Sequence, residues 1–156
     1  MRTIRRIASI ASTAATLMAA TSLALAIGAG TAQADSYVQY VNGYTGLCLD
    51  DSNSYNWRTF SCNQGSWDAG YQKIYHHEYN DGTERLMGAA TGLCLRDFGG
   101  GRVGHAGCDT SQAESWFHTY DNGLRLRNQA SGWCLDDSPQ AHLRTFPCNG
   151  LAYQAW

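Results

Sequence analysis

The chain has 156 residues, a formal net charge of −2, six cysteines and only two prolines, and 15% of its residues are charged. That length accommodates one domain of ordinary size. The balance of charge, with no basic stripe, argues against a surface that tracks phosphate backbones, so nucleic acid is not an expected partner.

Residues 1–34 read as a secretory signal peptide. Arg2, Arg5 and Arg6 form a basic start, Ile7 to Ile27 is a nearly uncharged apolar run, and Ala32-Gln33-Ala34 offers a small-x-small cleavage site before Asp35. The run is about long enough to span a bilayer, but its Ala, Ser and Thr content and the site behind it favour a leader over an anchor. The Arg5-Arg6 pair lacks the rest of a twin-arginine context, which points to the general secretory route. The first 34 residues hold three arginines and no acid, so residues 35–156 carry eight basic and thirteen acidic residues, a formal charge of −5. They also hold all eighteen aromatic residues and all six cysteines. The expectation is a secreted, extracellular monomer with no membrane insertion after cleavage, its even cysteine count forming disulfides.

After the leader, YVQYVN (37–42) reads as a strand leading to Thr45-Gly46-Leu47 and Cys48. Two hairpin signals follow, Asn80-Asp81-Gly82 after KIYHHEY and Asp121-Asn122-Gly123 after WFHTY. No amphipathic helical stretch is found. The cysteines fall in pairs 14 positions apart: Cys48 and Cys62, Cys94 and Cys108, Cys134 and Cys148. Of the fifteen connectivities that six cysteines allow, only local pairing treats the three intervals alike. A metal site or free thiols would not explain equal intervals without close Cys or His partners. Each first cysteine is preceded by Thr-Gly-Leu, Thr-Gly-Leu or Ser-Gly-Trp and followed by Leu49, Leu95 or Leu135. After each second cysteine comes Gln72-Lys73-Ile74, Glu114-Ser115-Trp116 or Gln154-Ala155-Trp156. Three repeats result, about 37–88, 89–128 and 129–156, each too small to bury its own faces. YVQYVN stands in the same register before Cys48 as LRLRN before Cys134, so the first strand is expected to complete the last repeat and leave few free edges. The fold class is all-β with pseudo-threefold symmetry.

These residues resemble a ricin B-type lectin domain, a β-trefoil, over essentially all of Tyr37 to Trp156, within a domain of 35–156. The resemblance rests on three Gly-x-Cys-Leu starts, three equal cysteine intervals and three Gln-x-Trp-like ends. It implies binding of galactose-type sugars, or of xylan and related wall polysaccharides, in up to three shallow pockets. A sugar pocket needs a carboxylate for hydroxyl hydrogens, an amide donor, and an aromatic ring beneath the apolar face of the pyranose.

By the positions that the family uses, unit one supplies Asp50, Arg58, Phe60, Tyr71 and Gln72, and unit three Asp136, Arg144, Phe146, Tyr153 and Gln154. Unit two has Arg96, Gly104 and Ala106 where the acid, polar residue and ring belong, so it reads as structural. The stretches 48–63 and 134–149 agree at ten of sixteen positions and differ mainly in their centre, which keeps a pocket's residues at the ends. Each assignment has a plainer counterpart. Phe60 and Phe146 serve as stacking platforms or as core; Asp50 and Asp136 contact ligand or cap turns; Gln72 and Gln154 face ligand or hold their own turn. Trp116, Trp156 and Ile74 read as core. Tyr71 and Tyr153 stand where the family commonly has Asn, and Arg58 and Arg144 where it often has Gln. Arginine has donors but no acceptor, so it either closes the pocket on the Asp or takes an acidic sugar or hydroxyl pair.

Catalytic chemistry is not expected. His76-His77-Glu78 lies on a strand whose neighbours face opposite sides, and Asp50-Asp51 and Asp136-Asp137 fail as acid–base pairs for the same reason. Gly99-Gly100-Gly101 reads as a tight crossing within a disulfide loop. No cofactor or metal is implied. The expected function is a carbohydrate-binding lectin with sites in units one and three. The alternative is a trefoil used as a protein-interaction module or protease inhibitor through the loop Asn63 to Tyr71, with Trp67 at its centre.

Overall fold

The structure is a computed structural model that describes residues 37–63 and 70–156. The leader expected at 1–34 and the centre of the loop around Trp67 lie outside the described residues. Eleven short strands are described: β1 (Tyr37–Val38), β2 (Cys48–Ser52), β3 (Asn56–Phe60), β4 (Ile74–Glu78), β5 (Thr83–Gly88), β6 (Cys94–Gly99), β7 (Arg102–Ala106), β8 (Ser115–Tyr120), β9 (Leu124–Asn128), β10 (Cys134–Ser138) and β11 (His142–Phe146). No described helix is long and apolar enough to cross a membrane.

Three antiparallel hairpins, β2–β3, β6–β7 and β10–β11, share one register. In each, the first cysteine lies opposite residue 60, 106 or 146. The disulfides are Cys48–Cys62, Cys94–Cys108 and Cys134–Cys148, with Cα separations of 5.0, 5.1 and 5.1 Å. Closing a loop of about 15 residues contributes roughly 3 kcal/mol in the chain-entropy model. The glycine before each pair has a backbone reason: Gly46, Gly92 and Gly132 take φ of 67°, 69° and 73°, the left-handed region that disfavours a Cβ. The turn signals also fold as read. Hairpin β4–β5 closes with Asp81 Oδ1 accepting from Thr83 N (3.0 Å) and Oγ1 (2.6 Å).

The core is assembled in threes. Leu49, Leu95 and Leu135 are fully buried, as are Leu86 and Leu126 with Tyr40 in their place in unit one. Ile74 and Trp116 are buried and Trp156 packs against the same cluster. The two indoles donate to carbonyls one repeat element away, Trp116 Nε1 to Leu95 O (3.1 Å) and Trp156 Nε1 to Leu135 O (3.0 Å). The repeats are joined in the same way three times: Ala89 N donates to Lys73 O (3.0 Å), Gln129 N to Ser115 O (2.8 Å) and Gly43 N to Ala155 O (2.8 Å). The first strand itself pairs with β4 of its own unit, Val38 opposite Ile74. The tie between the first and last units is made one turn later, by Gly43 and by Asn42 Nδ2 donating to Tyr153 O (2.8 Å).

A ring of buried carboxylates runs between the repeats. Asp51 Oδ2 accepts from Thr91 Oγ1 (2.6 Å), and Oδ1 meets His105 Nε2. Asp97 accepts from Ser131 Oγ (2.6 Å) and Thr145 Oγ1 (3.1 Å). Asp137 accepts from Thr45 Oγ1 (2.7 Å) and Thr59 Oγ1 (2.8 Å). Each unit thus lends a carboxylate to the next unit. A carboxyl group this deep is tolerated because donors fill its lone pairs.

Candidate functional site

Within each hairpin, the side chains of successive residues alternate between the core and the outer face. Leu49 and Leu135 go inward. Asp50 and Asp136 go to the other side, where they lie opposite Arg58 and Arg144 across the pair. Asp50 and Asp136 are nevertheless each only 1% exposed, because the arginine and the turn behind it cover them.

The pockets of units one and three share a construction. Arg58 Nε donates to Asp50 Oδ1 at 2.8 Å, and Arg144 Nε to Asp136 Oδ1 at 3.0 Å. Each guanidinium then lies over the ring two residues on, 4.3 Å from the centroid of Phe60 and 4.3 Å from that of Phe146. The rings remain 47% and 38% exposed. Phe60 and Phe146 are therefore surface residues and not core, which settles where they sit. Asp50 and Asp136 hold an arginine, whereas turn capping had been their plainer reading.

Gln72 and Gln154 are buried and hold the chain after the second cysteine. Gln72 Oε1 accepts from Asn63 N (2.9 Å) and its Nε2 donates to Ser61 O (2.9 Å); Gln154 repeats this with Asn149 N (2.9 Å) and Pro147 O (3.1 Å). Gln72 Nε2 also reaches Asp50 Oδ2 at 3.3 Å. Asp136 Oδ2 takes no hydrogen bond from the described residues. Tyr71 presents an exposed side chain beside unit one. Tyr153 packs on Tyr44, ring centroids 4.2 Å apart, and its hydroxyl titrates above the usual tyrosine range because of its hydrogen bond to Tyr44.

Unit two inverts the charges. Arg96 occupies the place of Asp50, and its Nη1 donates to Asp109 Oδ2 (3.2 Å) and Glu114 Oε1 (3.4 Å), Glu114 standing where the other units have Gln. Glu114 still holds the turn, accepting from Asp109 N at 2.8 Å. The outer face is a set of ion pairs beside the exposed Phe98, whose ring centroid lies 5.8 Å from Arg96 Cζ, with no ring at position 106.

Tyr55 is a pocket residue that the sequence reading passed over. Its ring lies 4.4 Å from Arg58 Cζ, so Arg58 is held between Tyr55 and Phe60. The corresponding residue of unit three is Ala141. Tyr55 falls in the variable centre of the repeated stretch, and the comparison of the two stretches gave weight only to what they share.

His76 also departs from its hairpin-surface reading. His77 and Glu78 are exposed, but His76 Nδ1 faces the buried Glu84 Oε2 at 3.2 Å, and His118 Nε2 meets the other oxygen. Tyr40 donates to Glu84 Oε1 (3.1 Å), and burial followed by the Glu84 charge pushes its phenol pKa up, which keeps it a donor. Among the described residues, no group of three or more His, Cys, Asp or Glu is arranged to hold a metal ion.

Residues 82–156 match the family model described as the ricin-type beta-trefoil lectin domain. None of the curated proteins matches the chain. Among solved structures, the chain resembles a designed threefold-symmetric protein, ThreeFoil (TM-score 0.66, 20% identity, 76% of this chain and 94% of that one). It also resembles the hemolytic lectin CEL-III (TM-score 0.60, 27% identity, 76% of this chain) and a GlcNAcα1-4Gal-releasing endo-β-galactosidase from Clostridium perfringens (TM-score 0.64, 18% identity, 76% of this chain). It spans 28% and 30% of the length of those two chains. The three hairpins form a β-trefoil, and the match over residues 82–156 supports a ricin B-type lectin domain, a carbohydrate-binding module.

Proposed function

We propose that the protein is a secreted, non-catalytic lectin that binds sugar at the outer pockets of units one and three. The observation that carries this reading is the repeated stack of a buried Asp on arginine Nε and an exposed phenylalanine 4.3 Å from the guanidinium, built with the same geometry in units one and three, whereas in unit two Arg96 pairs through Nη1 with Asp109 and Glu114 and lies 5.8 Å from the Phe98 ring. The carboxylate fixes the arginine through Nε, which leaves the terminal guanidinium nitrogens as a rigid pair of donors for vicinal hydroxyls. Asp50 and Asp136, covered by the arginine, act on the sugar by holding that arginine in place. The edge and free face of Phe60 or Phe146 take the aliphatic C–H face of the ring. The partner class is a galactose-type sugar or a xylan-like wall polysaccharide.

Shallow sites of this kind bind with Kd of about 0.1–1 mM, or roughly −4 to −5.5 kcal/mol. Two sites on one body gain on a polymer by effective concentration if both reach it together. A titration of ¹⁵N-labelled protein with monosaccharides, followed by amide chemical shifts, tests the placement. The expected result is saturable shifts grouped around Asp50–Phe60 and Asp136–Phe146 and none around Arg96. Shifts grouped around unit two, or no shifts with any sugar, would overturn it.

A further inference from the structure

Between units two and three lies an open groove of about 590 Å³, lined on one side by Gly100, Gly101, Arg102 and Val103 and on the other by Trp133, Ala141 and the strand from Leu143 to Phe146. It is continuous with the unit-three pocket, because Arg144 and Phe146 belong to both. A hexose unit, with about a dozen heavy atoms, fills little more than half of a space equal to roughly twenty waters at about 30 Å³ each. The groove therefore holds more than the single ring that the pocket alone would take.

Three local features create it. Gly99, Gly100 and Gly101 turn at φ of 75°, 64° and 83°, so the far wall carries no side chains there. Thr145 N donates to Gly101 O at 3.3 Å, which pins that bare backbone against β11. Trp133 replaces the leucine that precedes the first cysteine in the other units and adds an indole beside Phe146. Ala141 leaves uncovered the side of Arg144 that Tyr55 covers in Arg58. No carboxylate lines the groove. Arg144 is matched by Asp136, and Arg102 is exposed with no ion-pair partner among the described residues.

We propose that this groove binds an internal run of two or more sugar units of a polysaccharide that carries uronic acid residues. One pyranose sits on Phe146 and Arg144, the next stacks on Trp133, and a uronate carboxylate pairs with Arg102. The proposal rests on the lectin reading above and sharpens it: unit three reads a chain, whereas unit one, with Arg58 closed between two rings, reads at most a single sugar.

Calorimetry of the leaderless protein (35–156) with a series from mono- to tetrasaccharide, in neutral xylo-oligosaccharides and in uronic acid oligomers, tests it. The expected result is affinity rising at least tenfold from monosaccharide to trimer, with acidic trimers bound tighter than neutral ones. Trp133→Ala should remove the length gain while monosaccharide affinity stays within about twofold. Ala141→Tyr, which copies the cover that unit one has, should do the same by occupancy and without deleting a wall. Arg102→Gln should erase the preference for acidic trimers alone. Sugar binding with no length dependence in the wild type, or a length gain that survives both Trp133→Ala and Ala141→Tyr, would overturn the groove and leave the lectin reading intact. A length gain without acidic preference would overturn the assignment of Arg102. No binding to any member of the series, nor to galactosides, would overturn the lectin reading itself.

Discussion

Asp97 in the second unit accepts a 2.6 Å hydrogen bond from Ser131 in the third, the same bond that Asp51 takes from Thr91 and Asp137 from Thr45. The Asp three residues after the first cysteine of each repeat is thus an inter-repeat strut, and the repeats are held as a cycle by these hydrogen bonds as well as by the apolar core. Asp97→Ala removes the acceptor of two hydroxyls, those of Ser131 and of the fully buried Thr145. Chemical denaturation should show a loss of about 2–4 kcal/mol, and monosaccharide binding at the unit-one pocket, which Asp97 does not touch, should be retained below the new midpoint.

Gly88 tests the rigidity of that ring from its other side. A Cβ there would lie 1.7 Å from Asp51 Oδ2, which Thr91 and His105 hold in place. Gly88→Ala should therefore cost about 1–3 kcal/mol as an overpacked site, read as a lower midpoint in urea. An unchanged midpoint would mean that Asp51 is free to move.

The spacing of the cysteines, the three leucines after them and the turn glycines were legible because each follows from a local rule repeated three times. The buried struts were not. Asp51 and Asp137 were weighed only as partners for the acids beside them, whereas their real partners lie in the next repeat. The state of Arg58 and Arg144 was posed correctly as an alternative between an ion pair and a free donor, and only geometry could select the pair. Tyr55, against Arg58, and Trp133, on the groove beside Arg144, escape the sequence for a common reason: each differs between repeats, and comparison within the chain rewards agreement. Glu84 gathers His76, His118 and Tyr40 from three separate segments, a convergence that no local pattern announces.

Asp109 gives a pH test. Its carboxyl titrates below the ordinary carboxylate range, chiefly because Ser111 donates to it, with Arg96 adding attraction. A folded-state pKa below the unfolded value of about 3.9 means stability that is fully present above that value and lost as pH falls through the lower folded value. Asp109→Asn should thus be less stable than the wild type at neutral pH, and the two should converge in strongly acidic buffer, as followed by denaturation at each pH.

The disulfide of unit two can be removed without touching either proposed pocket. Cys94→Ala/Cys108→Ala should lower stability by roughly 3 kcal/mol, the loop-closure value for about 15 residues, as measured by denaturation. Monosaccharide affinity at room temperature should stay within about twofold of the wild type.

The central claim is that the paired acids of units one and three organise sugar sites. A glycan array probed with residues 35–156 and with their Asp50→Ala/Asp136→Ala variant, both shown to be folded by near-ultraviolet circular dichroism, addresses it most directly. The account predicts signal on galactosides or on plant and wall polysaccharides for the wild type, and its loss in the double variant. Equal signal from the two proteins would contradict it, and silence from a folded wild type would mean that Arg58 and Arg144 close the pockets instead of serving them.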